Sequence, residues 1–240
     1  MRILSLSWDA LMRPVWVNVE LLLLFAWLRS SQSTTLVAAR FEGGVVIGAD
    51  SRTSQGNFVA NRLTDKITSI YPGIFLARSG NSADTQFVAE VLEAKMEAYQ
   101  TEFGRPPTVL AAATATRNLC YSNREQLNAG VICAGWDQRD GGSVFSIPQG
   151  GSLLKQPYAV SGSGSVYALG YCDEHLRPHI GREECVRHVQ TALELALSRD
   201  GASGGIIRLC VATAKGVDRW SVAPPEGREG REAQQVEDDV

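Results

Sequence analysis

The chain has 240 residues, 44% hydrophobic and 20% charged, ordinary proportions for a globular protein and enough length to bury a full core. These values exclude a collagen-like, coiled-coil or wholly disordered chain. The net charge of −3 supplies no basic field for nucleic acid, and it is uneven: residues 1–33 carry +1, the last eighteen carry −4 and the middle is neutral.

In chain order, the first feature is an apolar run of eight, Leu21 to Leu28, with Arg2 and Arg13 before it and Arg29 after it. A membrane span needs about twenty apolar residues, so this run does not cross a bilayer. A secretory signal fits the charged start, but Asp9, Asn18 and Glu20 dilute the region. The five cysteines, an odd and widely spaced set without C-x-x-C, read as free buried thiols and suit an oxidising compartment poorly. A removable pro-segment explains the same facts.

Beyond Ser33 the texture turns to short β-type runs. Thr35 to Phe41, a Glu42-Gly43-Gly44 turn and Val45 to Ala49 read as a hairpin. Ile67 to Ile70 and Ile74 to Ser79 flank a Tyr71-Pro72-Gly73 turn. A helix is predicted over Ser82 to Phe103, with Phe87, Val88, Val91, Leu92, Met96 and Tyr99 as its apolar stripe. Pro106-Pro107 stops it. Thr108 caps a second helix running through Ala111, Ala115, Leu119 and Cys120 towards Leu127, ended by Gly130.

Strands resume at Val131 to Trp136, Ser143 to Ile147 and Tyr158 to Val160. Two further helices, Val166 to Leu176 and Arg182 to Arg199, precede the last strands, Ile206 to Thr213 and Gly216 to Val222. The acidic tail from Ala223 has no apolar periodicity and reads as disordered. Strands in hairpin-sized groups alternating with paired helices predict an α+β fold of two stacked antiparallel sheets between two helical layers.

His175, His179 and His188 fall within fourteen residues, but Pro178 interrupts any helix that would align the first two, so no metal site is expected. Gly201-Ala202-Ser203-Gly204-Gly205 matches G-x-S-x-G, yet helix precedes strand there and no histidine follows His188. Gly162-Ser163-Gly164-Ser165 lacks the completion of a phosphate loop.

The informative constellation is Ser33-Thr34-Thr35, then Gly48-Ala49-Asp50-Ser51-Arg52, Thr64-Asp65-Lys66 and Arg78-Ser79-Gly80. With GGVVIGADSRTS, VANRLTDKI, ARSGNSADTQ, AGWD, SGSGS and RDGASGGIIR, it resembles the beta-type subunits of the proteasome, the N-terminal threonine hydrolases, from Thr34 to about Val222. Among the catalytic kinds it is most similar to type 1, the caspase-like subunit. The resemblance implies the four-layer αββα sandwich of the N-terminal nucleophile hydrolases, with residues 1–33 as a pro-segment or mispredicted start, 34–222 as the catalytic domain and 223–240 as a tail.

It also implies roles. Thr34 would be the nucleophile, activated by its own α-amino group once the pro-segment is cleaved. Lys66 would lie beside the hydroxyl, Asp50 would hold Lys66, and Ser163, Asp200 and Ser203 would organise the amine and its water. The Gly80 N–H would be the oxyanion donor. Arg78 would favour cleavage after acidic residues, while Thr53, Ser54 and Ser82 align with pocket and substrate-backbone positions. Neither cofactor nor metal is implied. The implied partners are alpha-type and beta-type subunits of a 20S particle and unfolded polypeptide substrates, without nucleic acid or membrane, in cytoplasm and nucleus.

One departure bears on activity: the family has glycine before the nucleophile, and this chain has Ser33. Cleavage there needs a tight turn that glycine adopts most readily. One alternative is therefore an unprocessed, structural ring subunit; another, from the signal-like features of residues 1–33, is an exported N-terminal-nucleophile amidase.

Overall fold

The computed structural model describes residues 34–55 and 58–223. The segments read as a pro-segment (1–33) and, Ala223 apart, as a tail (223–240) lie outside the described residues, as does the Leu21 to Leu28 run. Twelve strands and four helices are described. β1 (Leu36–Phe41), β2 (Gly44–Ala49), β10 (Tyr158–Ser161), β11 (Ile207–Thr213) and β12 (Gly216–Val222) form one antiparallel sheet in the order β10-β1-β2-β11-β12. β5 (Ile67–Tyr71), β6 (Ile74–Gly80), β7 (Ala129–Asp137), β8 (Gly141–Ile147) and β9 (Leu154–Gln156) form the second in sequence order. β3 (Thr53–Gln55) and β4 (Phe58–Asn61) make a separate two-stranded ribbon.

The helices are α1 (Ser82–Phe103), α2 (Val109–Ser122), α3 (Ser165–His175) and α4 (Arg182–Arg199). Three apolar clusters stack in register with these layers. α3 through Ala168 and Cys172, and α4 through Val189 and Leu193, pack on the first sheet against Val37 and Leu209. Leu36, Ile47, Ile67, Phe75 and Ile132 fill the space between the sheets. Val88, Leu92, Met96 and Val109 cover the second sheet from the far side against Leu76 and Val131. This is the four-layer αββα sandwich that the sequence predicts.

The local signals explain the boundaries. Asn81 caps α1, its side chain accepting from Ala83 N at 2.9 Å and Asp84 N at 3.3 Å, and Gly104 ends it in the left-handed conformation at φ 63°. Thr108 Oγ1 accepts from Ala111 N at 3.1 Å as the cap of α2. The buried Asp137 carboxylate joins that helix to the second sheet, accepting from Val109 N at 2.8 Å and from the turn N–H groups of Arg139 and Asp140.

Several expectations need correction. α2 stops at Ser122, short of Leu127, because Asn123 donates from its side-chain amide to Leu119 O at 2.8 Å and closes the last turn. β7 accordingly starts at Ala129, ahead of Val131. The buried face of α1 is Thr85, Val88, Ala89, Leu92 and Met96, which leaves Phe87 51% exposed. β3, β4 and β9 have no counterpart among the expected strands.

Candidate active site

Three strand ladders converge at one end of the sandwich. The β1–β2 register sets Leu36 opposite Ala49, which brings Thr34 and Thr35 beside Asp50, and Asp50 N donates to Thr35 O at 3.2 Å. β10 pairs with the other edge of β1, Leu36 opposite Ser161, so Gly162 and Ser163 reach Thr34. β11 pairs with β2, Arg208 opposite Ala49, and so delivers the loop from Asp200 to Gly205 to Asp50. Lys66 enters from the second sheet immediately before β5.

At the centre, Lys66 Nζ donates to Thr34 Oγ1 at 3.0 Å and to Asp50 Oδ1 at 2.7 Å. All three residues are buried, Asp50 completely. The Asp50 carboxylate also accepts from Thr35 N at 3.0 Å, Gly204 N at 3.1 Å and Arg52 N at 3.2 Å. Burial pulls Lys66 below the ordinary lysine value, with Asp50 countering, and pushes Asp50 up against the pull of Lys66 and these N–H groups.

A second chain of hydrogen bonds meets the other side of residue 34. Thr34 N donates to Ser163 Oγ at 3.2 Å, and Ser163 Oγ donates to Asp200 Oδ2 at 2.7 Å. Ser203 Oγ donates to the same oxygen at 2.6 Å and lies 2.8 Å from Thr35 Oγ1. Gly164 N donates to Thr34 O at 3.3 Å. Gly162 sits at φ 90° against the Thr34 carbonyl, where a β-carbon would overlap it.

Gly80 ends β6 at φ 112° with Asn128 O behind it, so neither its backbone conformation nor its packing admits a side chain. Its neighbour Ser79 lies 3.0 Å from Ser161 Oγ, at the rung where Ser161 faces Leu36.

Arg78 leaves the central cluster for a cavity of about 460 Å3, lined with Asp65, Thr68, Gln86, Glu90 and Arg219. Its N–H donates to Lys66 O at 2.9 Å, and one guanidinium nitrogen donates to Asp65 O at 2.9 Å. Its Nε is buried with no acceptor among the described residues. Burial lowers its proton affinity, and Asp65 and Glu90 oppose that.

Thr53, Ser54 and Ser82 do not line this cavity. Thr53 Oγ1 lies 2.9 Å from Thr64 Oγ1, at the irregular start of the β3–β4 ribbon. Ser54 is half-buried on β3, and Ser82 is exposed at the start of α1.

Sequence reasoning missed four contributors. Thr35 binds both Asp50 and Ser203, and its signal was the doubled threonine. Arg52 donates to Gly201 O at 3.0 Å and reaches the Asp50 carboxylate through its N–H. Gln86 and Glu90 owe their place to the phase of α1 over β6, which no local signal encodes.

A four-layer αββα sandwich with a threonine, a lysine and a buried aspartate joined by hydrogen bonds at one end of its strands defines a class, and comparison with known proteins gives it a family. Residues 30–212 match the family model described as proteasome subunit. The chain is 48% identical over 186 residues to a proteasome subunit beta type-6 of Dictyostelium discoideum, covering 78% of this chain and 87% of that protein. It is 44% identical over 196 residues to the proteasome subunit beta type-1 of Saccharomyces cerevisiae, covering 82% and 91%. It is 48% identical over 185 residues to the proteasome subunit beta type-9 of Homo sapiens, covering 77% and 84%. The chain belongs to the proteasome subunit family, among its beta-type members. Membership implies assembly with other proteasome subunits in the 20S particle.

Proposed function

We propose that this chain is a threonine endopeptidase subunit of the 20S inner ring, with Thr34 as nucleophile and cleavage directed after acidic residues. The observation that carries the reading is the position of Lys66 Nζ, 3.0 Å from Thr34 Oγ1 and 2.7 Å from Asp50. A hydroxyl is a weak nucleophile until a base takes its proton. Cleavage of the Ser33–Thr34 bond frees an α-amine whose ordinary pKa, about 8, suits proton transfer in both directions.

In the proposed cycle the amine, through water, takes the proton from Thr34 Oγ1, and the oxygen attacks the scissile carbonyl. The new oxyanion accepts from Gly80 N–H, the C–N bond breaks, and the ammonium returns its proton to the departing amine. Water then attacks the Thr34 ester by the same route and releases the acid. Lys66 favours the alkoxide electrostatically, and Asp50 fixes Lys66. Ser163, tied to Asp200 and through it to Ser203, holds the nitrogen of residue 34.

Arg78 is the proposed specificity residue: its buried, unsatisfied Nε–H and its cavity suit a carboxylate side chain. Thr53, Ser54 and Ser82 are proposed to contact the substrate backbone or the pocket rim. The proposed neighbours are alpha-type and beta-type subunits, with unfolded polypeptide as substrate, in cytoplasm and nucleus.

Ser33 favours a second reading, a structural subunit that keeps its pro-segment. Intact-mass measurement of purified particles separates the two. A chain beginning at Thr34, with cleavage of a fluorogenic peptide ending in Asp, supports the enzyme; a chain still carrying Ser33, without that cleavage, overturns it.

A further inference from the structure

The Arg78 cavity holds more negative charge than a carboxylate pocket needs. Asp65, Glu90 and Glu93 line it against Arg78 and Arg219. Asp65 is already committed: one carboxylate oxygen accepts from Arg219 at 2.9 Å, and the other accepts from Ile67 N at 2.9 Å. Glu90 is held differently. Gln86, one turn earlier on α1, donates its side-chain amide to Glu90 Oε1 at 2.9 Å. That bond fixes the carboxylate on the helix face that borders the cavity without neutralising it, since an amide carries no charge. A substrate carboxylate bound by Arg78 would therefore share the cavity with a second, tethered carboxylate.

We infer that Glu90, held by Gln86, is a specificity-positioning residue that weakens the preference of the Arg78 cavity for acidic over neutral side chains. The inference rests on the proposed role of Arg78. The physical reason is like-charge repulsion inside a shared cavity, which lowers affinity for a carboxylate and leaves a neutral side chain untouched. The opposition of Glu90 to the burial effect on Arg78 agrees with this placement. Because Glu90 is exposed, the effect is small and screened by salt.

The test uses assembled particles carrying Glu90→Gln, Glu90→Asp or Arg78→Ala, with rates taken as the difference from Thr34→Ala particles. Two peptides that differ only in Asp or Leu before the scissile bond report kcat/KM. Glu90→Gln keeps an acceptor for Gln86 and removes the charge, so the Asp-to-Leu ratio should rise about two- to five-fold, through KM, and less at high salt. Glu90→Asp should keep the parent ratio. An unchanged or lower ratio in Glu90→Gln, while Arg78→Ala abolishes the acidic preference, overturns this inference and leaves the proposed function standing. An acidic preference that survives Arg78→Ala overturns the role of Arg78 itself, and the inference with it.

Discussion

Replacing Asp50 by asparagine removes one charge and keeps the shape. Lys66, 5% exposed, would then hold an ammonium without the carboxylate now 2.7 Å away. Breaking a buried pair by removing one partner costs about 3–5 kcal/mol. The lysine itself sets a ceiling. Shedding its proton at pH 7 from an ordinary value of 10.5 costs about 5 kcal/mol, at about 1.4 kcal/mol per unit. Burial already lowers that value, so the ceiling is lower still, and the neutral amine is the way out. The amide adds a conflict of its own. If its oxygen serves Lys66 and Thr35, its NH2 faces the N–H groups of Arg52 and Gly204. A loss of about 3 kcal/mol or more follows, which lowers the melting temperature by roughly 6 °C or more in a domain of this size. With the cation gone from Thr34 Oγ1, cleavage of an Asp-ended peptide by assembled particles should fall about 100- to 1,000-fold. Particles with unchanged melting and cleavage within about twofold of the parent would refute the reasoning.

Activity that needs the Lys66 ammonium is present below its lowered pKa and disappears as pH rises through it, so the alkaline limb of kcat/KM for the acidic peptide should lie below 10.5. A limb at or above that value contradicts the assignment. Gly162→Ala, at φ 90° with its new methyl against the Thr34 carbonyl, costs about 1–2 kcal/mol of backbone strain and should cut peptide cleavage more than tenfold by moving residue 34. Parent activity in that variant would show that the position of Thr34 tolerates the shift. Burial pushes Cys133, Cys172, Cys185 and Cys210 up to about 12 and Cys120 to about 11, so iodoacetamide at pH 8 should label none of the five in the native particle and all of them in guanidinium. Rapid native labelling of any one would overturn its burial.

The layers of the fold were legible because β-branched runs and three-four apolar spacing are local signals. β9 was not, since Leu154, Lys155 and Gln156 are all exposed and show no alternation. In the β3–β4 ribbon, β3 was hidden by its polar composition and β4 by its shortness and by its separation from both sheets. Phe87 misled because the spacing of α1 fits two adjacent faces, and only packing on β5 and β6 selects the one carrying Val88 and Leu92. At the site, Thr34, Asp50, Lys66, Ser163, Asp200 and Ser203 were legible through family resemblance, and the structure joins them by hydrogen bonds across as many as 129 positions. No spacing rule reaches that far. The environment of Arg78 was beyond reach for the same reason: Gln86 and Glu90 meet it through the docking of a helix on a sheet.

Asp50 connects these two levels. Its carboxylate receives N–H groups from the residue before β1, from the segment after β2 and from the loop before β11, and the ammonium of Lys66 from the edge of the second sheet. An apolar replacement would take the acceptor from two buried backbone donors, Thr35 N–H and Gly204 N–H, and the carboxylate from the Lys66 ammonium. The charge that holds Lys66 against Thr34 Oγ1 therefore also closes the end of the sandwich. A one-residue slip in the β1–β2 ladder would turn its side chains to the opposite faces of the sheet. Fold and site would then fail together, because the same register that buries Leu36 and Ile47 between the sheets sets Asp50 beside Thr35.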